Sequence, residues 1–175
     1  MKSLTYYINE KLIIKKSKYK YFPQTKEELK DIILKRIKSE GNKVDLNDID
    51  VSNITDMSGL FNRFTNFNGD ISNWDVSNVT NMSCIFFECK SFNQDISNWN
   101  VSNVTDMYCM FYGCNSFNQD ISSWDVSNVT NMSYIFSECK SFNQDISNWN
   151  VSNVKHNIFI FTHCLIDEKY KPKFK

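Results

Sequence analysis

The chain has only four glycines and two histidines among its 175 residues, and no long apolar run. Each scarcity excludes something. Calcium-binding β-rolls are built from glycine-rich nonapeptides, which four glycines cannot supply. Two histidines leave little material for catalysis. The combination to weigh is His163-Cys164 with Asp167, and adjacent residues in an extended or helical segment point apart. No segment approaches the ~20 apolar residues of a membrane-crossing helix, so no membrane span is expected. The opening "MKSLTYYINEK" meets polar and charged residues before the apolar stretch of a secretory signal can form, so an intracellular location is expected.

Aromatic residues, by contrast, make up 15% of the chain, more than disordered chains carry, and they supply a core. The formal charge is zero but unevenly spread. Residues 1–43 carry net +7, residues 44–154 net −10, and residues 155–175 net +3.

The aromatics are periodic. Trp74, Trp99, Trp124 and Trp149 are each 25 apart, and the same step joins Met57, Met82, Met107 and Met132. It also joins Phe61, Phe86, Phe111, Phe136 and Phe161, and the cysteines Cys89, Cys114, Cys139 and Cys164. A fixed period with large apolar residues in register predicts units that share a core with their neighbours. The division that follows is a basic leader and capping helix over 1–43, about five 25-residue repeats over 44–164, and a basic tail over 165–175.

Within residues 95–119, Ile96, Trp99, Val101 and Val104 predict a short strand and an inward turn. Met107, Met110, Phe111 and Cys114 fall at i, i+3, i+4 and i+7, the spacing of one helical face, behind the N-cap chemistry of Thr105-Asp106. The fold class expected is therefore an α/β repeat protein. It would be a right-handed, leucine-rich-repeat-like solenoid with short parallel strands, short helical turns and an N-terminal helical cap. That cap is read from "TKEELKDIILKRIKSEG", where Thr25 and Glu28 fit a capping box. Leu29, Ile32, Ile33 and Ile37 form its apolar stripe, and Gly41 ends it.

A second periodicity overlies the first, since "ECKSFNQDISNWNVSNV" at 88–104 returns unchanged at 138–154. The column after tryptophan reads Asp50, Asp75, Asn100, Asp125, Asn150, and the column before methionine reads Asp56, Asn81, Asp106, Asn131, His156. Alternation of this kind relieves like-charge repulsion between stacked residues, or it is the trace of a duplicated two-repeat unit. The Asp70, Asp95, Asp120, Asp145 column does not alternate, and it is expected to accept backbone N–H bonds.

With "NWDVSNVTNMS" at 73–83 and "SFNQDIS" at 91–97, the repeat resembles the BspA-like leucine-rich-repeat surface-protein family, in particular its PARCEL-type 25-residue repeats. The resemblance covers roughly residues 44–164. It implies a leucine-rich-repeat-like solenoid used in protein interaction or adhesion, without chemistry of its own. Members of that family are often found at the cell surface.

The candidate residues are few. The tryptophan, methionine and cysteine columns are expected to be structural ladders. Thiols spread along a line cannot converge on zinc, so no metal or cofactor is expected. Cys84 and Cys109 share a more variable column, where a bridge needs Cα atoms about 4.4–6.8 Å apart. Asn53, Asn78, Asn103 and Asn128 begin glycosylation-like tripeptides and are read as turn residues. Lys15, Lys16, Lys18 and Lys20, interleaved with Tyr19, Tyr21 and Phe22, could hold phosphates and stack bases. The function expected is a non-enzymatic protein-interaction scaffold with a protein partner. The alternative is a nucleic-acid-associated protein acting through those four lysines.

Overall fold

A computed structural model describes residues 18–174. Lys15 and Lys16 lie outside the described residues. The α-helix α1, Lys26–Glu40, starts at Thr25, whose hydroxyl accepts from the Glu28 N–H at 3.2 Å. The Glu28 carboxylate reaches back to the Gln24 N–H at 2.7 Å, one residue beyond the usual partner in a capping box. Gly41 ends the helix at φ 88°, a conformation that favours glycine, and donates to Ile37 O. Leu29 and Ile33 are fully buried, with Ile32 and Ile37 packed beside them against the core. α1 lies on the first repeat. Arg36 binds Asp48 at 2.7 Å, the Asp45 carbonyl at 2.8 Å and Glu40, while Lys26 binds Asp56 at 2.7 Å.

Beyond α1 the chain is a run of β-turns. In residues 95–119, backbone bonds close the turns 96–99, 101–104, 107–110, 109–112, 111–114 and 114–117 at 2.9–3.1 Å. The core residues Ile96, Trp99, Val101, Val104, Met107, Met110, Phe111, Cys114 and Phe117 all stand at the first or fourth position of one of these turns. In the turns 96–99, 101–104 and 114–117 the middle positions are polar, Ser97-Asn98, Ser102-Asn103 and Asn115-Ser116, whereas the middle of 109–112 is the buried pair Met110-Phe111. A turn folds its ends to one side and its middle to the other. In those three turns this separates core from surface without a strand or a helix.

Successive repeats are stacked and bonded to each other. The N–H groups of Met107, Cys109, Phe111 and Gly113 donate to the carbonyls of Asn131, Ser133, Ile135 and Ser137 in the next repeat, at 2.9–3.0 Å. Over residues 107–114 every second N–H thus leaves its repeat, and the others close turns within it. Inside the stack, Phe61, Phe86, Phe111 and Phe136 are spaced 5.6 Å apart as near-parallel rings. Phe67, Phe92, Phe117 and Phe142 form a second file at 5.9–6.1 Å, and the two files touch, as at Phe86–Phe92, 4.0 Å.

These observations overturn the expected fold class. Among the described residues there is no sheet and no strand, only single bridged residues such as Asp56–Asn81 and Asn81–Asp106. Apart from α1 and the 3₁₀ turn Glu168–Tyr170, the described residues from 26 onward hold no helix. The α/β class and the right-handed, leucine-rich-repeat-like solenoid with short parallel strands and helical turns are both wrong for this chain. A leucine-rich repeat needs a strand in every copy. The i, i+3, i+4, i+7 spacing misled because two turns laid end to end, 107–110 and 111–114, give the same intervals as one helical face.

Candidate interaction surface

Each repeat but the last, where His156 takes the third place, carries three aspartate or asparagine residues whose side chains order a turn. Asp95 Oδ1 accepts from Ser97 N at 2.9 Å, Asn100 Oδ1 from Ser102 N at 3.2 Å, and Asp106 Oδ1 from Tyr108 N at 2.8 Å. Asn100 Oδ1 also accepts the Ser102 hydroxyl at 2.7 Å, as Asp75 Oδ1 accepts that of Ser77 at 2.6 Å. Only one oxygen is used, so Asp and Asn serve the turn equally well.

The asparagines that begin the glycosylation-like tripeptides are spoken for. Nδ2 of Asn53 donates to Gln24 Oε1 at 3.2 Å, and Nδ2 of Asn78, Asn103 and Asn128, with Asn153 in the same column, donates to the carbonyl of Ser52, Ser77, Ser102 and Ser127 in the repeat before, at 2.7–2.9 Å. Asn93, Asn118 and Asn143 donate their backbone N–H to the Oδ1 of the preceding member of their own column, each at 2.9 Å. The result is an exposed face in rows. One row is Asn73, Asn98, Ser123 and Asn148, and a second is Asp75, Asn100, Asp125 and Asn150. Among the described residues, every buried side-chain nitrogen or oxygen has a hydrogen-bond partner.

Asp95, Asp120, Asp125 and Asp145 favour their charged form. The hydroxyl and N–H of Ser97 hold the Asp95 carboxyl below the usual range, and those of Ser127 and Ser147 do the same for Asp125 and Asp145. For Asp120 the N–H of Ser122 leads and its hydroxyl follows.

The tryptophan column lies inside, with Nε1 of Trp74, Trp99, Trp124 and Trp149 donating to Leu46, Ile71, Ile96 and Ile121 carbonyls at 3.0–3.2 Å. Met57, Met82, Met107 and Met132 are buried. The thiols of Cys89, Cys114 and Cys139 are buried too, and they do more than fill space, donating to the Phe61, Phe86 and Phe111 carbonyls at 2.8–3.0 Å. Burial pushes the Cys89 thiol up to about 12 and raises Cys114 and Cys139 as well. Cys164, at the last repeat, is half-buried and faces the Phe142 carbonyl at 3.7 Å, while His163 turns to Glu138 at 2.5 Å. The two neighbours do not face each other, and burial raises the Cys164 thiol.

Of the four candidate lysines, Lys18 lies 5.0 Å from the Tyr19 ring centroid and Lys20 pairs with Asp48 at 3.1 Å. No group of three or more His, Cys, Asp or Glu among the described residues could hold a metal ion. No described helix is long and apolar enough to cross a membrane. Sequence reasoning read an exposed ladder of Asn, Asp and Ser, with Asn53, Asn78, Asn103 and Asn128 as turn residues, and missed that the side-chain amides of Asn78, Asn103, Asn128 and Asn153 bond the preceding repeat.

The family model described as "Mycoplasma protein of unknown function, DUF285" matches residues 31–128 and again 101–168. The chain belongs to that family. The two DUF285 matches overlap, as a repeated sequence allows, and together they take in most of α1 and every repeat. No curated protein and no solved structure matches the chain.

Proposed function

We propose that this DUF285 chain is a non-catalytic protein-interaction module that binds its partner with the exposed face of Asp, Asn and Ser rows. The observation that carries the reading is pre-ordering. The side chains of Asp75, Asn100, Asp125 and Asn150 are bonded to the backbone of their own repeat, and those of Asn103 and Asn128 to the backbone of the repeat before. A surface already fixed in place loses little entropy on binding. Its repeat along the stack presents one chemistry at regular intervals. The net −10 of residues 44–154 favours a partner with a basic complementary surface. The likeness of the repeat to BspA-like surface proteins supports the same class of role.

The test compares three forms of the chain in affinity capture, with and without nuclease. One is native, one carries Asn98→Arg, Ser123→Arg and Asn148→Arg, and one carries Lys15→Gln, Lys16→Gln, Lys18→Gln and Lys20→Gln. A specific protein, captured by the native and lysine-changed forms with nuclease present and lost by the face-changed form, supports the proposal. Loss of capture with nuclease or with the lysine changes overturns it in favour of nucleic-acid association.

A further inference from the structure

The column Gly59, Cys84, Cys109, Tyr134, Phe159 stands at the left-handed position of a turn in each repeat, with φ between 53° and 62°. Glycine is the residue suited to this position, and it is present in the first repeat. The next two repeats place cysteine there instead. The core cysteines recur in every later repeat, whereas these two occur only as neighbours.

Their placement brings them together. The two repeats are bonded at this level by Cys84 N to the Tyr108 carbonyl, 2.7 Å. Rings two residues along, Phe86 and Phe111, are 5.6 Å apart. Equivalent positions thus lie at a spacing that suits the Cα atoms of a disulfide, about 4.4–6.8 Å. The two thiols are close enough for each to shift the other's titration. Both line an open cavity of about 480 Å³ together with Lys30, Arg63 and Tyr108. Cys84 is half-buried and Cys109 is buried, and both are free.

We propose that Cys84 and Cys109 form a thiol–disulfide exchange site that takes low-molecular-weight disulfides, with Cys84 attacking and Cys109 resolving. In the first step the Cys84 thiolate forms a bond to one sulfur of the small disulfide and breaks its S–S bond. One small thiolate leaves and takes up a proton. In the second step the Cys109 thiol gives its proton to water, attacks the Cys84 sulfur and expels the second small thiolate. Two protein thiols are oxidised to one disulfide, and one small disulfide is reduced to two thiols.

The division of roles follows from the surroundings. The neighbouring Cys109 thiol lowers the Cys84 thiol below its ordinary range, while the same pairing and burial raise Cys109. Asp106 opposes both thiolates, and Lys30 and Arg63 at the cavity wall supply positive charge that favours an anionic disulfide. The remaining cysteines face carbonyls in or beside the core and are disfavoured as thiolates by burial.

The full reduced chain, held with excess oxidised glutathione without denaturant, tests this by peptide mapping over time. A Cys84–Cys109 bridge is expected, with Cys84 reacting at least ~10-fold faster than Cys89, Cys114 or Cys139. In Cys109→Ser the glutathione is expected to stay on Cys84 as a mixed disulfide. In Cys84→Ser the adduct at Cys109 is expected to form slowly. Circular dichroism confirms that both variants fold. Absence of the bridge in the native chain overturns the proposal, as does equal reactivity of all six cysteines. Faster reaction at Cys109 than at Cys84 overturns the assignment of roles.

Discussion

Asp and Asn alternate in two columns of the exposed face, and the turns use only Oδ1 of either. Charge is therefore the one difference between them. The neighbouring column Asp70, Asp95, Asp120, Asp145 keeps an acid in every repeat, and repulsion from Asp120 is the weakest of the influences on Asp95. Like charges at this spacing are thus tolerated. Asn100→Asp with Asn131→Asp should change stability by less than ~0.5 kcal/mol at low salt, measured by urea unfolding. A larger loss would restore repulsion as the reason for the alternation. Backbone strain makes a second test at this scale. Glu88 sits at φ 55° where the next repeat has Gly113 at φ 69°. A non-glycine residue there costs ~1–2 kcal/mol, partly offset by the ~0.5–1 kcal/mol that glycine loses in chain entropy. Glu88→Gly should therefore stabilise by ~0.5–1 kcal/mol, and Gly113→Ala should destabilise by about as much or more, since its Cβ would also meet Glu88 Cγ at 3.4 Å. Opposite shifts of the urea midpoint check the pair.

At the scale of elements, α1 was legible and the turns were not. A capping box, an apolar stripe and a terminal glycine are local signals, and the helix bonds that follow from them are local too. In residues 95–119, the N–H groups of Thr105, Met107, Cys109, Phe111, Gly113 and Ser116 are satisfied by carbonyls about 25 residues away. No window of sequence contains those acceptors. Ile96, Trp99, Val101 and Val104 disclosed that they are inward but not that two turns, rather than a strand, bring them there. The cysteine column was legible as core, while its S–H bonds to carbonyls were hidden, because a thiol in a core column looks like any small apolar side chain. The attachment of α1 is a matter of tertiary charge. Burial alone would raise the Asp48 carboxyl, but Arg36 and Lys20 hold it below its usual range. Arg36→Met would leave Asp48 half-buried with Lys20 alone and should cost ~2–3 kcal/mol in thermal or urea unfolding. Thr25→Ala, which removes only the N-cap, should cost ~1 kcal/mol. Equal losses in the two variants would mean that the ion network adds nothing beyond holding the helix in shape.

Over the whole molecule, two electrostatic effects oppose each other as pH falls. Protonating carboxylates relieves the repulsion of a middle region that carries net −10, which stabilises the fold. It also removes the charged acceptors of the aspartate turns, which destabilises it. Serine donors dominate at Asp95, Asp120 and Asp145, and repulsion is subordinate where it acts at all. The second effect therefore wins. Because the folded-state values lie below those of the unfolded chain, the stabilisation is complete above about pH 5. It is lost as pH falls through the folded values, below about pH 4. The melting temperature should be flat from neutral to mildly acidic pH and then drop. Asp95→Asn, Asp120→Asn and Asp145→Asn together keep the Oδ1 acceptors and remove three of the titrating groups. In that variant the acid-induced drop should be shallower than in the native chain. A melting temperature that instead rises on acidification would show that relief of repulsion outweighs the turns, and that the acidic rows are held against the stability of the fold.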